Sequence, residues 1–315
     1  MKKIKCGIIG CGIIAPSHIE SFRNLPNVEI AVACDLLEAK TATMAAKYGI
    51  PQQTTDYRKV LAMSDIDCIA ICTDHASHAE IACAALEAGK HVICEKPLAT
   101  TPEALDAMLS VHARHPELVF AGIFQHRFEE VNRYVRELIN HGTFGVINAI
   151  SLNCWVLRTN EYYRQDAWRG TWQQEGGSLL INQAIHFIDL LNWLSGGVDS
   201  LCACCENRNH QGVIETEDTA AIVLKFKRGM IGTITASASS VELWRNILTI
   251  DGSAGYMEMN NNTVNHFRFS DPVIQAQVEE HLRQMKDDKE IAAGKVYYGN
   301  GHPAPAAAPT MTADQ

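Results

Sequence analysis

A chain of 315 residues, 47% apolar and 20% charged, is long enough for two domains and apolar enough for a sizeable core. Those proportions exclude a disordered, collagen-like or coiled-coil chain. Its 27 basic and 36 acidic side chains leave a net charge of −9, which repels phosphate backbones and argues against a nucleic-acid partner. No run approaches the roughly 20 apolar residues of a membrane span, so no membrane partner is expected. Met1-Lys2-Lys3 could open a leader, but Gly7, Gly10 and Gly12 break the apolar stretch at once, so an untargeted chain is expected. The eleven cysteines are odd in number. Cys34, Cys68, Cys72 and Cys94 sit inside apolar runs, where thiols act as small core residues, and the expected location is a reducing cytoplasm.

In chain order, the apolar run 4–9 ends in a glycine turn and a helical pattern covers 16–25. A strand follows at 28–34, a helix at 36–48 and a strand at 67–73. A helix from about Ser77 stops at Gly89, residues 91–94 are a strand, a helix starts near Thr101-Pro102, and 118–124 closes the series. Apolar runs without alternation, separated by helices, predict strands buried on both faces of a parallel sheet. The expected fold is therefore α/β: a doubly wound Rossmann domain over 1–122. Beyond it, strand-like segments at 146–156, 219–229, 230–239 and 246–253, several with period-two alternation, surround a strong helix at 178–195. That pattern predicts an α+β domain over 123–298 with a large open, mainly antiparallel sheet. Residues 299–315, rich in Ala and Pro, are expected to be a disordered tail.

Gly10-Cys11-Gly12-Ile13-Ile14-Ala15 joins the first strand to the first helix, with Pro16 suited to a first turn. Such a loop lets a pyrophosphate approach the backbone at a helix N-terminus, where free N–H groups favour anions. Asp35 ends the second strand 23 residues after Gly12, placed to accept from an adenosine ribose and to repel a 2′-phosphate. Leu36 and Leu37 follow it with no Arg, so NAD is favoured over NADP. Farther on, Glu95-Lys96-Pro97 follows the 91–94 strand at the edge where open α/β sheets bind ligands. An ammonium there could polarise a substrate oxygen or move a proton.

These motifs, GIIGCGIIAPSH, AGKHVICEKPLATT, WRGTW and GGSLLINQAIHFIDLLNWLSG, strongly resemble the glucose–fructose oxidoreductase/inositol dehydrogenase/MocA family from Lys3 to about Asn262. The resemblance implies a Rossmann domain with bound NAD or NADP, an open-sheet domain, and hydride transfer at a carbinol carbon of a sugar or cyclitol. It further implies cofactor contacts from Gly10, Gly12, Ile13, Ile14, Asp35, Thr73, His78, Glu95, Lys96 and Gln183. A homodimer or homotetramer built through the second sheet is likewise implied.

Helix 178–195 is apolar nearly all round and should be buried, yet Asn182, His186 and Asp189 line one stripe at i, i+4 and i+7. A buried polar stripe must be satisfied, and a substrate hydroxyl would satisfy it. By resemblance His186 is the general acid/base, Lys96 its partner, and Asp189 orients the histidine or stabilises the helix. Many members carry Asp where this chain has Asn182, which can hold substrate but brings no charge to tune the histidine. Tyr162, Tyr163, Arg164, Trp168, Arg169 and Trp172, with Arg127, form an aromatic and arginine cluster suited to sugar rings and to carboxylates or phosphates. Of these, Arg127, Tyr163, Trp168 and Arg169 join Asn182 and Asp189 as expected substrate contacts. The branches with WRGTW and NQ before the histidine resemble dehydrogenases of nucleotide-linked amino sugars and uronates. Cys202-x-Cys204-Cys205 lacks a second pair at zinc spacing, so no metal is expected. Asp74-His75 departs from the family's Pro-Asn after Thr73, and the chain after Gly301-His302 departs from the usual returning helix. Two alternatives remain open: a non-enzymatic regulator that senses NAD and a metabolite, and an enzyme using tightly bound NAD for transient oxidation, as glycosidases or epimerases would.

Overall fold

The computed structural model describes residues 3–292; the expected tail at 299–315 lies outside the described residues. Its strands are β1 (Ile4–Ile9), β2 (Val28–Cys34), β3 (Gln52–Thr54), β4 (Cys68–Ile71), β5 (His91–Cys94), β6 (Phe120–Gly122), β7 (Ile147–Leu157), β8 (Val198–Glu206), β9 (Thr219–Phe226), β10 (Ile231–Ser237), β11 (Ser239–Gly252), β12 (Gly255–Asn260) and β13 (Thr263–Phe269). The helices are α1 (Ala15–Arg23), α2 (Glu38–Tyr48), α3 (Tyr57–Leu61), α4 (His78–Glu87), α5 (Pro102–Arg114), α6 (Glu130–Asn140), α7 (Asn160–Arg164), α8 (Ile185–Ser195) and α9 (Pro272–Ala292). By contact density the chain divides into two compact units, one running up to Cys72 and the other Thr73–Ile291.

Strands β1 to β6 make a parallel sheet in the order β3-β2-β1-β4-β5-β6, the doubly wound arrangement the apolar runs predicted. Within the first unit, Ile8, Ala33 and Ala70 from three strands pack with Ala15 and Ile19 of α1 and Met44 of α2. Beyond the first residues of β1 and β2 these strands are buried on both faces, which is why they carry no alternation. Helix α5 begins as its sequence requires, with the Thr101 hydroxyl accepting from the Ala104 N–H (3.2 Å) and Pro102 in the first turn.

The second sheet has seven strands in the order β13-β12-β11-β7-β10-β9-β8; β7 and β10 run parallel and the other neighbours antiparallel. Here alternation decides the faces. On β9, Ala220, Ile222, Leu224 and Phe226 are buried while Ala221, Val223 and Lys225 face outward. The inner face packs on Val131, Val135, Leu138 and Ile139 of α6 and on Phe187, Leu190, Leu191 and Leu194 of α8. Among the described residues no helix is long and apolar enough to cross a membrane.

One expected element differs. The single helix at 178–195 is two pieces, a π-helical turn at Leu179–Ala184 followed by α8. A π turn widens the backbone by one residue per hydrogen-bonded ring and changes what its carbonyls can reach.

Candidate active site

In the first unit, β1 runs into Gly10, which adopts φ +93°, a conformation only glycine takes without strain. The Asp35 carboxylate at the end of β2 holds the loop in shape: Oδ2 accepts from the Cys11 N–H (2.9 Å) and Oδ1 from the Leu37 N–H (2.9 Å). Each oxygen keeps a further lone pair for a ribose hydroxyl. Ile14 stands at the start of α1 with no side chain capping the first turn, Ile13 is exposed, and a Cβ at Gly12 would meet nothing within 4 Å. An uncapped helix N-terminus with open space before it fits the diphosphate of a dinucleotide.

In the second unit, β5 delivers Glu95-Lys96-Pro97. Glu95 is buried and takes the Lys96 backbone N–H (3.1 Å); the Lys96–Pro97 peptide is cis. His78 is fully buried beneath this turn, Nδ1 at 2.7 Å from the Pro97 carbonyl and Nε2 at 3.2 Å from that of Thr73, whose hydroxyl accepts from Ser77. The Lys96 ammonium donates to the Asn182 carbonyl (2.9 Å) and to Asn182 Oδ1 (2.8 Å), both in the widened π turn. An ammonium has three protons, so one remains for a ligand. Burial pulls Lys96 down to about 8, opposed by the carboxylates of Glu95 and Glu175 and reinforced by Arg158 and Arg169.

His186 opens α8 one turn beyond Asn182. Its Nε2 lies 3.3 Å from the amide nitrogen of Gln125, its ring meets His126 edge-on at 5.4 Å, and its Nδ1 is buried with no partner. Burial lowers it to about 3, with Lys96 and His126 adding to the shift, so the ring is neutral near pH 7. Asp189 is not directed at His186. Its two oxygens are taken by Arg127, Nε at 2.7 Å and Nη2 beside it, a fork-on-carboxylate pair.

The arginine and aromatic residues form a chain of contacts. Arg158 at the end of β7 donates to Gln183 Oε1 (2.6 Å), Gln183 donates to the Tyr162 hydroxyl (3.0 Å), and Arg169 donates to that same hydroxyl while pairing with Asp166 (3.0 Å). Trp168 lies between the His75 ring (5.1 Å) and the Arg169 guanidinium (4.8 Å). Tyr163 is buried with its ring against His210, and Trp172 is exposed. The structure thus brings together Lys96, Asn182 and His186, and joins Gln183 to Arg169 through Tyr162. Four residues that sequence reasoning passed over belong to the same neighbourhood: Gln125, His126, Arg158 and Glu175. Arg158, directly after the β7 strand, had the clearest signal, since a charge ending an apolar strand is often functional. Among the described residues no group of three or more His, Cys, Asp or Glu could hold a metal ion.

Residues 4–123 match the oxidoreductase family with an NAD-binding Rossmann fold, GFO/IDH/MocA, and residues 132–258 match the GFO/IDH/MocA C-terminal domain. Levoglucosan dehydrogenase of Pseudarthrobacter phenanthrenivorans is 27% identical over 272 residues, covering 76% of this chain and 69% of its own. Myo-inositol 2-dehydrogenase of Thermotoga maritima is 25% identical over 266 residues, 82% of this chain and 75% of its own. Among solved structures, the WlbA dehydrogenase of Bordetella pertussis, in complex with NADH and UDP-GlcNAcA, superposes with a TM-score of 0.84 at 27% identity, covering 91% of this chain and 83% of that one.

Proposed function

The chain belongs to the GFO/IDH/MocA oxidoreductase family, NAD-dependent enzymes acting on sugar-like hydroxyls, and from that premise we propose that it oxidises a carbinol carbon of an anionic sugar derivative with Lys96 and His186 handling the proton. The observation that carries this is the constellation of a half-buried ammonium with a single uncommitted proton and a half-buried neutral imidazole whose buried Nδ1 has no partner. NAD, held at Gly10, Gly12 and Asp35, would supply the hydride acceptor for the carbinol carbon. Lys96 donates its remaining N–H to the substrate oxygen and stabilises the negative charge that grows there. His186, neutral at working pH, takes the hydroxyl proton. Asn182 fixes the direction of the ammonium, and the Arg127–Asp189 pair anchors α8 one turn beyond the histidine.

Charge supports the substrate class. Arg158 and Arg169 both bear on Lys96, Arg169 and Lys96 bear on the buried carboxylate of Glu175, and Arg158 Nε is buried without a partner. A guanidinium that donates only to neutral oxygens and keeps a buried N–H unpaired favours an anionic ligand, such as a uronate or a nucleotide-linked sugar. The WlbA neighbour, held with UDP-GlcNAcA, supports that direction. We take residues 1–122 as the cofactor domain and 123–298 as the substrate domain; the two family matches, over 4–123 and 132–258, support a division near residue 123. The outward apolar residues Leu201, Val223 and Ile231 of the second sheet support a homodimer or homotetramer. Eleven free cysteines support a reducing cytoplasm.

The test is NADH absorbance with the purified protein, NAD and a panel of cyclitols, sugars, uronates and nucleotide-linked sugars. Lys96→Ala and His186→Ala should each abolish turnover while NAD binding, followed by titration, persists. Full activity in both variants would refute the assignment.

A further inference from the structure

The sequence has Asn182 at a place where a carboxylate would face the proton-handling pair, and by itself that reads as a missing charge. The structure shows where a charge lies instead. Glu175 is 1% exposed, and one oxygen, Oε1, accepts from Asn182 Nδ2 at 2.5 Å, while Oε2 accepts from the Gly170 N–H. Asn182 turns its other face, Oδ1, to the Lys96 ammonium at 2.8 Å. The amide orientation is forced, because an ammonium can only donate and a carboxylate can only accept. The result is an unbroken line from carboxylate through amide to ammonium.

We propose that Glu175 is a positioning residue that supplies, through the Asn182 amide, the negative charge facing Lys96. This rests on the reading of Lys96 given above. The residue pair explains itself: an Asp at 182 would press its carboxylate against that of Glu175, and two carboxylates in contact cannot both ionise. Asn, with a donor on one side and an acceptor on the other, is the side chain of that size that joins a carboxylate to an ammonium. The carboxylate is also locally built in. Gly176, next to it, takes φ +80°, and a Cβ there would lie 2.8 Å from Thr100 Cβ, so the chain is pinned where it presents Glu175. The Glu175 carbonyl meets the Nδ1 of His75 at 3.0 Å. The other groups that bear on the line are Glu95, which holds Lys96 charged, and Arg158 and Arg169, which oppose it; Lys96 in turn bears on His75 and His186. The direction in which Glu175 acts on Lys96 agrees with the geometry: its charge favours the protonated ammonium.

The test measures the Lys96 titration without substrate or NAD, using protein labelled with 13C at the lysine ε-carbons, the resonance being assigned by its loss in Lys96→Met. Glu175→Gln keeps the size and one of the two hydrogen bonds, its single amide oxygen accepting from either Gly170 or Asn182, and removes the charge; it should lower the Lys96 midpoint by about one pH unit, the low end for an opposite charge a few ångströms away. The exchanged pair, Glu175→Gln with Asn182→Asp, puts the carboxylate directly against Lys96, with the introduced glutamine amide donating to it. That protein should titrate at or above the wild-type midpoint. An unchanged midpoint in Glu175→Gln, or a midpoint still low in the exchanged pair, would overturn the proposal and leave Glu175 a purely structural residue. Should Glu175→Gln fail to fold, the exchanged pair carries the test alone: a kept midpoint supports the proposal and a lowered one overturns it. The dehydrogenase reading fails separately, if Lys96→Met oxidises substrate as well as wild type.

Discussion

Burial holds His75, His78, His126 and His186 of the second unit as neutral rings; three of the shifts are large, with His75 and His186 pulled down to about 3 and His126 to about 4 from an ordinary value of 6.5. In the unfolded chain all three bind a proton as pH falls through 6.5, whereas the folded protein refuses it until far lower. Because the folded values lie below the unfolded one, the stabilisation is present above pH 6.5 and is lost as pH falls from there toward 4 and 3. Around pH 5 unfolding should take up nearly three protons from these groups, a slope of about 4 kcal/mol per pH unit. Between about pH 8 and pH 5 each ring removes about 2 kcal/mol, and the three together about 6, comparable with the whole stability of an ordinary domain of 5–15 kcal/mol. The assay is urea unfolding followed by fluorescence of the five tryptophans at a series of pH values and fixed ionic strength. His186→Leu, which removes one of these rings, should lower the slope by one proton's worth, about 1.4 kcal/mol per pH unit. An uptake of one proton or fewer near pH 5.5 would refute the claim that these rings are buried uncharged, and with it the assignment of His186 as a neutral base at working pH.

Oxidation should fall on the alkaline side as Lys96, at about 8, loses the proton with which it stabilises the substrate oxygen; a kcat/KM profile still rising well above that value would reject the ammonium role. Asp35→Ala removes the acceptor for the Cys11 and Leu37 N–H groups and for the ribose, and should weaken NAD binding by about 2 kcal/mol or more while narrowing the preference for NAD over NADP, both read by fluorescence titration. Gly232→Ala places a Cβ 2.0 Å from the Ile150 carbonyl oxygen and 2.8 Å from the Phe226 ring, between β10 and β7, where the obstacle is backbone. It should cost about 2 kcal/mol or more and lower Tm by several degrees; an unchanged Tm would mean that the two strands separate more easily than their packing indicates.

What could be read from the sequence was whatever repeats locally. Unalternating runs such as 28–34 and 67–73 announce strands covered on both faces, the Gly10–Gly12 turn announces its own backbone shape, and the alternation of 219–226 fixes which face of β9 is buried. The π turn left no such mark, because Leu179–Ala184 is apolar in much the same pattern whether the backbone closes four-residue or five-residue rings. The β12–β13 hairpin left one that the expectations above did not use: Asn261-Asn262, both at positive φ in the fold, are residues that take that conformation readily, and they follow β12, whose burial alternates.

The charges around Lys96 belong to a different category. Asp189 and Arg127 are 62 positions apart, Lys96 and Asn182 are 86 apart, and nothing in either neighbourhood of the chain names the other. The identity of a side chain is written at its own position, but its electrostatic role depends on what the fold brings against it. A neutral residue at 182 therefore reads as an absent charge only while the chain is a line. Folded, the same amide is the conductor between Glu175 and Lys96, and an Asp restored at 182 with Glu175 still in place would crowd two carboxylates together and weaken the arrangement it was meant to complete.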